Sequence, residues 1–305
     1  MSVLTQMNLM LKTCLAISLL TLTSQAEDPT VTLFLPEAPA LKLGPDSMRK
    51  PEVATGTVTE HVWQNSKIFP GTIRQYFVYI PAKLDPTVPA AVMVFQDGQS
   101  NVDPDGNIRA TVVMDNLIAS GEIPPMVGVF INSGELGSEL PKQNWKARNR
   151  SLEYDTLSDA YVRFLMEEIL PEVSKKQKLT NDPDQRAICG ASSGGICAWT
   201  AAWQRPDVFR KVVCFIGTFT DIRGGNSYPS LIRKTPQKPI RAFFQEGIDD
   251  IDNEHGSWPL GNLQMQAALK FANYDHRFYW TKSGHTSDEG GALFPEIMRW
   301  LWRNK

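Results

Sequence analysis

A mostly parallel β-sheet with helices on both faces and an antiparallel hairpin at one edge is the architecture this 305-residue sequence predicts. Three observations point to it. Several strand-length runs are apolar on both faces, Ala90–Phe95 and Met126–Ile131 above all, as buried parallel strands require. Segments with helical apolar spacing lie between such runs, and the two patterns alternate along the chain. Composition agrees with a globular α/β protein: 42% hydrophobic and 21% charged residues exclude a disordered chain, and no repeat or heptad is present.

In chain order, residues 1–26 read as a secretory signal peptide. Lys12 precedes an apolar run from Cys14 to Leu22 that is short for a membrane span, and Ser24-Gln25-Ala26 offers a cleavage site. The mature protein is therefore expected to be secreted or periplasmic, without a further membrane span. Residues 27–55 are rich in proline and read as an extended leader, and residues 56–305 as the folded domain. Within it the strand runs are Thr57–Trp63, Thr72–Ile80, Ala90–Phe95, Met126–Ile131, Arg186–Cys189, Lys211–Ile216, Ile240–Gln245 and His276–Trp280. Pro70-Gly71 lies in the short connection between the first two, hence the expected edge hairpin. Leu157, Tyr161, Phe164, Leu165 and Ile169 share one face of a helix expected to end near Pro171. Ile196, Trp199 and Trp203 mark a second helix; Leu293, Ile297, Trp300 and Leu301 mark the last.

Net charge is −2, so the electrostatic drive for binding nucleic acid is missing. Cys189, Cys197 and Cys214 sit in apolar surroundings without metal-ligand spacing, which reads as buried free thiols. The loops at 101–106 and 250–254 alternate acidic residues but lack the rest of a calcium loop, and read as turns. No metal or organic cofactor is implied.

The chemistry is carried by Gly190-Ala191-Ser192-Ser193-Gly194. A short apolar strand precedes this G-x-S-x-G pentapeptide and a helical pattern follows it, the strand–turn–helix context the motif needs. Such a turn presents Ser192 at its tip, and small residues two positions away on either side let strand and helix approach. A serine nucleophile needs a base. Of the four histidines, His285 follows the last strand in a loop at the carboxyl edge of the sheet and is the preferred base. His255 competes, with a pocket-wall role as its alternative. The orienting acid belongs after the strand at 240–245; Asp250 is preferred, and Asp249 and Asp252 stay open. Oxyanion donors are expected from the N–H groups of Ser193 and of Gln99 or Gly98, in the turn after Val92–Gln96. Trp145 and Trp258, with His255, are candidate substrate contacts, and core packing is the plain alternative for the two tryptophans.

Taken together, several features make the chain resemble the esterase D and enterochelin-esterase-like branch of the α/β-hydrolases, which also holds feruloyl and acetylxylan esterases. They are Ile68-Phe69-Pro70-Gly71-Thr72 with Tyr79-Ile80-Pro81, Phe95-Gln96-Asp97-Gly98, Arg150-Ser151-Leu152-Glu153-Tyr154-Asp155, the serine pentapeptide and Gly284-His285. The resemblance implies an α/β-hydrolase fold with Ser192, Asp250 and His285 as triad. It further implies a carboxyl-ester hydrolase acting through an acyl-enzyme on a small-molecule or polysaccharide-linked ester, with a carbohydrate acyl ester or a siderophore-type ester as the expected substrate. An acyltransferase using the same triad, and a catalytically silent binding module, are the alternatives.

Overall fold

The computed structural model describes residues 41–304; the expected signal peptide lies outside them. The principal strands are β1 (Thr57–Trp63), β2 (Thr72–Ile80), β3 (Ala91–Gln96), β4 (Met126–Ile131), β6 (Arg186–Ala191), β7 (Lys211–Phe215), β8 (Arg241–Gly247) and β11 (Asp275–Thr281). Two-residue strands complete the set: β5 (Glu135–Leu136), β9 (Asp252–Asn253) and β10 (Gly256–Ser257). The helices are α1 (Gly98–Val102), α2 (Ala110–Ala119), α3 (Arg150–Tyr154), α4 (Ala160–Phe164), α5 (Leu170–Ser174), α6 (Ser193–Gln204), α7 (Tyr228–Lys234), α8 (Trp258–Phe271) and α9 (Asp288–Trp302).

The main sheet runs β1-β2-β4-β3-β6-β7-β8-β11, with β5 added against β2. β1 and β2 form the antiparallel hairpin, β2 meets β4 antiparallel, and every pairing from β4 to β11 is parallel. This is the α/β-hydrolase arrangement. Chain order reverses around β3, whose neighbours are β4 on one side and β6 on the other; that is where a crevice opens in a doubly wound sheet. The register aligns the carboxyl ends. Phe95 pairs with Cys189, Ala191 with Phe215, Phe215 with Gln245, and Gly247 with Thr281. The residues that follow these strands, Asp97, Ser192, Ile216, Asp250 and His285, therefore emerge along one edge.

Each face of the sheet has its own core. On one side Val94, Ile188 and Val212 pack with Phe164, Trp199 and Tyr228; on the other Met93, Phe95 and Phe130 pack with Leu117, Phe294 and Met298. Phe95 stacks on Phe130 at a centroid distance of 4.4 Å, with Phe294 edge-on at 6.0 Å. Cys189, Cys197 and Cys214 are buried and unbridged, as their apolar surroundings imply.

The expected helix end at Pro171 does not occur. A π-helical segment, Leu165–Ile169, joins α4 to α5, and Pro171 falls in the first turn of α5. The proline, which has no N–H to donate, is tolerated there because the π-helical turn just before it interrupts the regular helical hydrogen-bond ladder. Residues 41–55 are more than an extended strand of chain. Pro45–Ser47 makes a short 3-10 turn, Asn116 Nδ2 donates to the carbonyls of Asp46 and Met48, and Asp46 pairs with Arg299 on α9.

Candidate active site

Ser192 stands between β6 and α6 with φ 58° and ψ −125°. This backbone conformation is strained for a residue with a side chain, at a cost of about 1–3 kcal/mol that the surroundings must hold in place. They do so from four directions. The Ser192 N–H donates to Phe215 O (2.9 Å), and the Ser192 carbonyl accepts from the N–H groups of Gly195 (2.9 Å), Ile196 (3.2 Å) and Thr218 (3.3 Å). Glycine is required at 190, since a Cβ there would lie 2.2 Å from Gly194 O. Among the described residues no acceptor takes the Ser193 N–H, which opens α6 as one of its unpaired first-turn donors.

His285 lies in the loop between β11 and α9. Its Nε2 is 2.8 Å from Ser192 Oγ, and its Nδ1 is 2.6 Å from Asp250 Oδ1. A carboxylate only accepts, so Nδ1 carries the proton and Nε2 is left to accept from the serine hydroxyl. The imidazole is partly open to solvent, whereas the Asp250 side chain is fully enclosed. Burial pushes the Asp250 carboxyl up, but hydrogen bonds from His285, Glu246 and the Ile251 N–H outweigh it, and its pKa lies below the ordinary aspartate value. The two other acids left open, Asp249 in the turn after β8 and Asp252 in β9, are both exposed.

A cleft of about 560 Å³ opens above this row, lined by Asp97, Asp103, Trp145, Arg150, Ile216 and Ser287 among others. Trp145 is 56% exposed at its rim and carries Lys146 Nζ 4.6 Å above its ring. Arg150 grips Asp97 with two hydrogen bonds of 2.7 and 3.0 Å and so ties α3 to the turn after β3.

The remaining expected contacts are placed differently. Gln99 does not line the cleft, and its N–H donates to Asn132 Oδ1 at 3.0 Å. The reason is local: Asp97 adopts φ 51°, α1 starts at once, and this turn hands the Gln99 N–H to the end of β4. Trp258 is buried, which rules it out as an open floor for a substrate ring. Its indole stands edge-on to His285 at 5.9 Å, and Nε1 donates to Thr218 Oγ1 at 3.3 Å. His255 sits in the β9–β10 turn, with a largely exposed side chain that does not line the cleft. Sequence reasoning missed Thr218, whose Oγ1 lies 3.3 Å from Ser192 Oγ, and Glu246, fully buried beside Asp250. The signal for both was position alone: Thr218 follows β7, the neighbour of β6, and Glu246 stands near the end of β8.

The Esterase family model matches residues 67–299 of the chain. The chain belongs to the esterase family. Within it, the chain is similar to an iron(III) enterobactin esterase of Dickeya dadantii, 24% identical over 169 residues, or 55% of this chain and 34% of the relative. It is also similar to an endo-1,4-beta-xylanase/feruloyl esterase of Xylanibacter ruminicola, 28% identical over 170 residues, or 54% of this chain and 19% of the relative. The chain thus matches about a third of the length of the first of these curated relatives and about a fifth of the second. Among solved structures of the same fold is an enterobactin esterase from Shigella flexneri, with TM-score 0.67, 18% identity, 88% of this chain and 64% of that one covered. Another is a ferulic acid esterase from the anaerobic fungus Anaeromyces mucronatus, with TM-score 0.64, 17% identity, and 86% and 98% covered.

Proposed function

We propose that this esterase-family chain is a serine carboxyl-ester hydrolase with Ser192, His285 and Asp250 as its triad. The observation that carries the reading is the unbroken relay Ser192 Oγ to His285 Nε2 (2.8 Å) and His285 Nδ1 to Asp250 Oδ1 (2.6 Å) at the mouth of a cleft. Ser192 Oγ attacks the ester carbonyl carbon while its proton passes to Nε2. The tetrahedral oxyanion is stabilised by the Ser193 N–H at the amino end of α6, where helix dipole and unpaired donors coincide. His285 returns the proton to the departing alcohol, leaving an acyl-serine. Water, deprotonated by the same imidazole, then releases the acid. Asp250 keeps its charge throughout and holds the imidazole tautomer.

The cleft favours an uncharged ester, as of a sugar hydroxyl, over an anionic ferric siderophore. Arg150 is the cationic side chain in its lining and is already paired with Asp97, while Asp103 adds a carboxylate that forms no ion pair among the described residues. Iron(III) wrapped by catecholates is an anion and would meet this carboxylate. Trp145 at the rim offers a flat apolar face suited to a sugar or aromatic acyl ring. The expected export of the protein fits a substrate outside the cytoplasm.

Ser192→Ala tests the reading. Hydrolysis of an activated acetate ester should fall by on the order of 10⁶ in kcat, and a fluorophosphonate should label wild-type Ser192 but not the variant. Retained turnover in Ser192→Ala would end the proposal. A panel of acetyl-sugar, feruloyl-sugar and catecholate-lactone esters then tests the substrate preference.

A further inference from the structure

Behind the relay lies a buried acid that the mechanism above does not use. Glu246 stands near the end of β8, four residues before Asp250, with no exposed surface. Its carboxyl lies against that of Asp250, close enough for each to act on the other. Asp250 Oδ1 is already taken, by His285 Nδ1 at 2.6 Å and the Ile251 N–H at 2.5 Å. Asp250 Oδ2 and both Glu246 side-chain oxygens are buried, and none of the three has a hydrogen-bond partner of ordinary geometry; the Gly247 N–H is the backbone donor that acts on Glu246. No arginine or lysine pairs with Glu246 among the described residues. The other groups facing it are the buried Cys214 thiol on β7, held neutral by burial, and His285 beyond Asp250. One proton placed between the carboxyls gives Asp250 Oδ2 its donor and removes the repulsion of two adjacent buried charges.

We propose that Glu246 is a positioning residue that stays protonated at neutral pH and donates a hydrogen bond to Asp250 Oδ2, so that Oδ1 remains aimed at His285. The proposal rests on the triad reading. Burial, together with hydrogen bonding to and repulsion by Asp250, lifts the Glu246 pKa well above the usual glutamate value, while that of Asp250 is lowered: one carboxyl keeps the proton and the other the charge.

Two variants and one spectrum test it. Glu246→Gln keeps a donor without a charge, so kcat and the acid limb of the kcat/KM pH profile should both match wild type. Glu246→Leu removes the donor, and kcat should fall about 10- to 100-fold with KM little changed. The infrared difference between wild type and Glu246→Gln at neutral pH should contain a protonated-carboxyl C=O stretch. An acid limb moved down by about one unit in Glu246→Gln, wild-type kcat in Glu246→Leu, or no such band would each overturn the proposal. The spectrum needs no turnover, so its outcome stands apart from that of Ser192→Ala.

Discussion

Asp250 illustrates how much one hydrogen bond can carry at this site. Its carboxylate fixes which imidazole nitrogen bears the proton, and an amide in its place can present an N–H to Nδ1 and invert the tautomer. Asp250→Asn should therefore keep the fold and lower kcat by about 10⁴-fold, as for the corresponding change in other triads; a loss under tenfold in steady-state kinetics would speak against Asp250 as the acid. The cysteines make the opposite prediction. Burial pushes the thiols of Cys189, Cys197 and Cys214 up from their usual range, so little thiolate forms near neutral pH. Iodoacetamide should leave all three unlabelled in the native protein and modify them once it is unfolded, as read by mass spectrometry. At this scale the meeting of Ser192, Asp250 and His285 was legible because each follows a strand run in an order that brings them to one edge. Gln99 was misjudged because its N–H direction depends on the left-handed turn at Asp97, and that dihedral leaves no clear mark in an Asp-Gly pair. Thr218 stayed hidden because its nearness to Ser192 comes from the pairing of β6 with β7, which sequence does not state; Glu246 lies only four residues before Asp250, but sequence does not show that its carboxyl is turned inward and buried.

The elements that place the site depend on a buried ion pair. Arg74 on β2 and Glu153 on α3 are both fully enclosed, joined by hydrogen bonds of 2.5 and 2.9 Å, and Glu153 also accepts from Asn149 Nδ2 (2.7 Å) and the Gly134 N–H (3.2 Å). α3 is only five residues long and could not hold its position by its own hydrogen bonds. Removing one partner leaves a buried charge exposed to no solvent and no counter-ion. Arg74→Met should destabilise by about 3–5 kcal/mol, seen in urea unfolding, and should cost activity as well, because α3 carries Arg150 and hence the turn at Asp97. The double variant Arg74→Met with Glu153→Leu should recover much of the stability. A single variant as stable as wild type would show that α3 is held by something else. Most elements were readable in advance: strand-length runs, several of them apolar on both faces, located every long strand, with β1, β2 and β4 at the expected limits. The two-residue strands β5, β9 and β10 were not, being too short for any periodicity. The continuation through Pro171 was missed because a π-helical turn changes which N–H groups are needed, an adjustment set by packing and not by local propensity.

Across the whole molecule, strand order decides where chemistry can occur. The reversal around β3 opens the crevice, and the parallel register brings the ends of β3, β6, β7, β8 and β11 to the same level, so the serine, acid and histidine loops meet although they are far apart in sequence. The same convergence determines the charge a substrate meets. The chain has net charge −2, and the cleft gathers Asp97, Asp103 and Arg150, of which Arg150 and Asp97 compensate each other. The uncompensated charge is negative, with Lys146 drawn aside over the Trp145 ring at the rim. Between about 0.01 and 0.15 M salt the screening length falls from roughly 30 to 8 Å, which removes most of this field over the width of the cleft. An ester bearing a carboxylate should therefore show kcat/KM rising about two- to threefold over that range, through a falling KM, while a neutral acetyl-sugar ester stays flat. The two substrates share the chemical step, so any difference between their salt profiles reports the approach and not the triad. A fall in kcat/KM with salt for the anionic ester would mean that cations dominate the cleft, and the preference for an uncharged substrate would have to be given up.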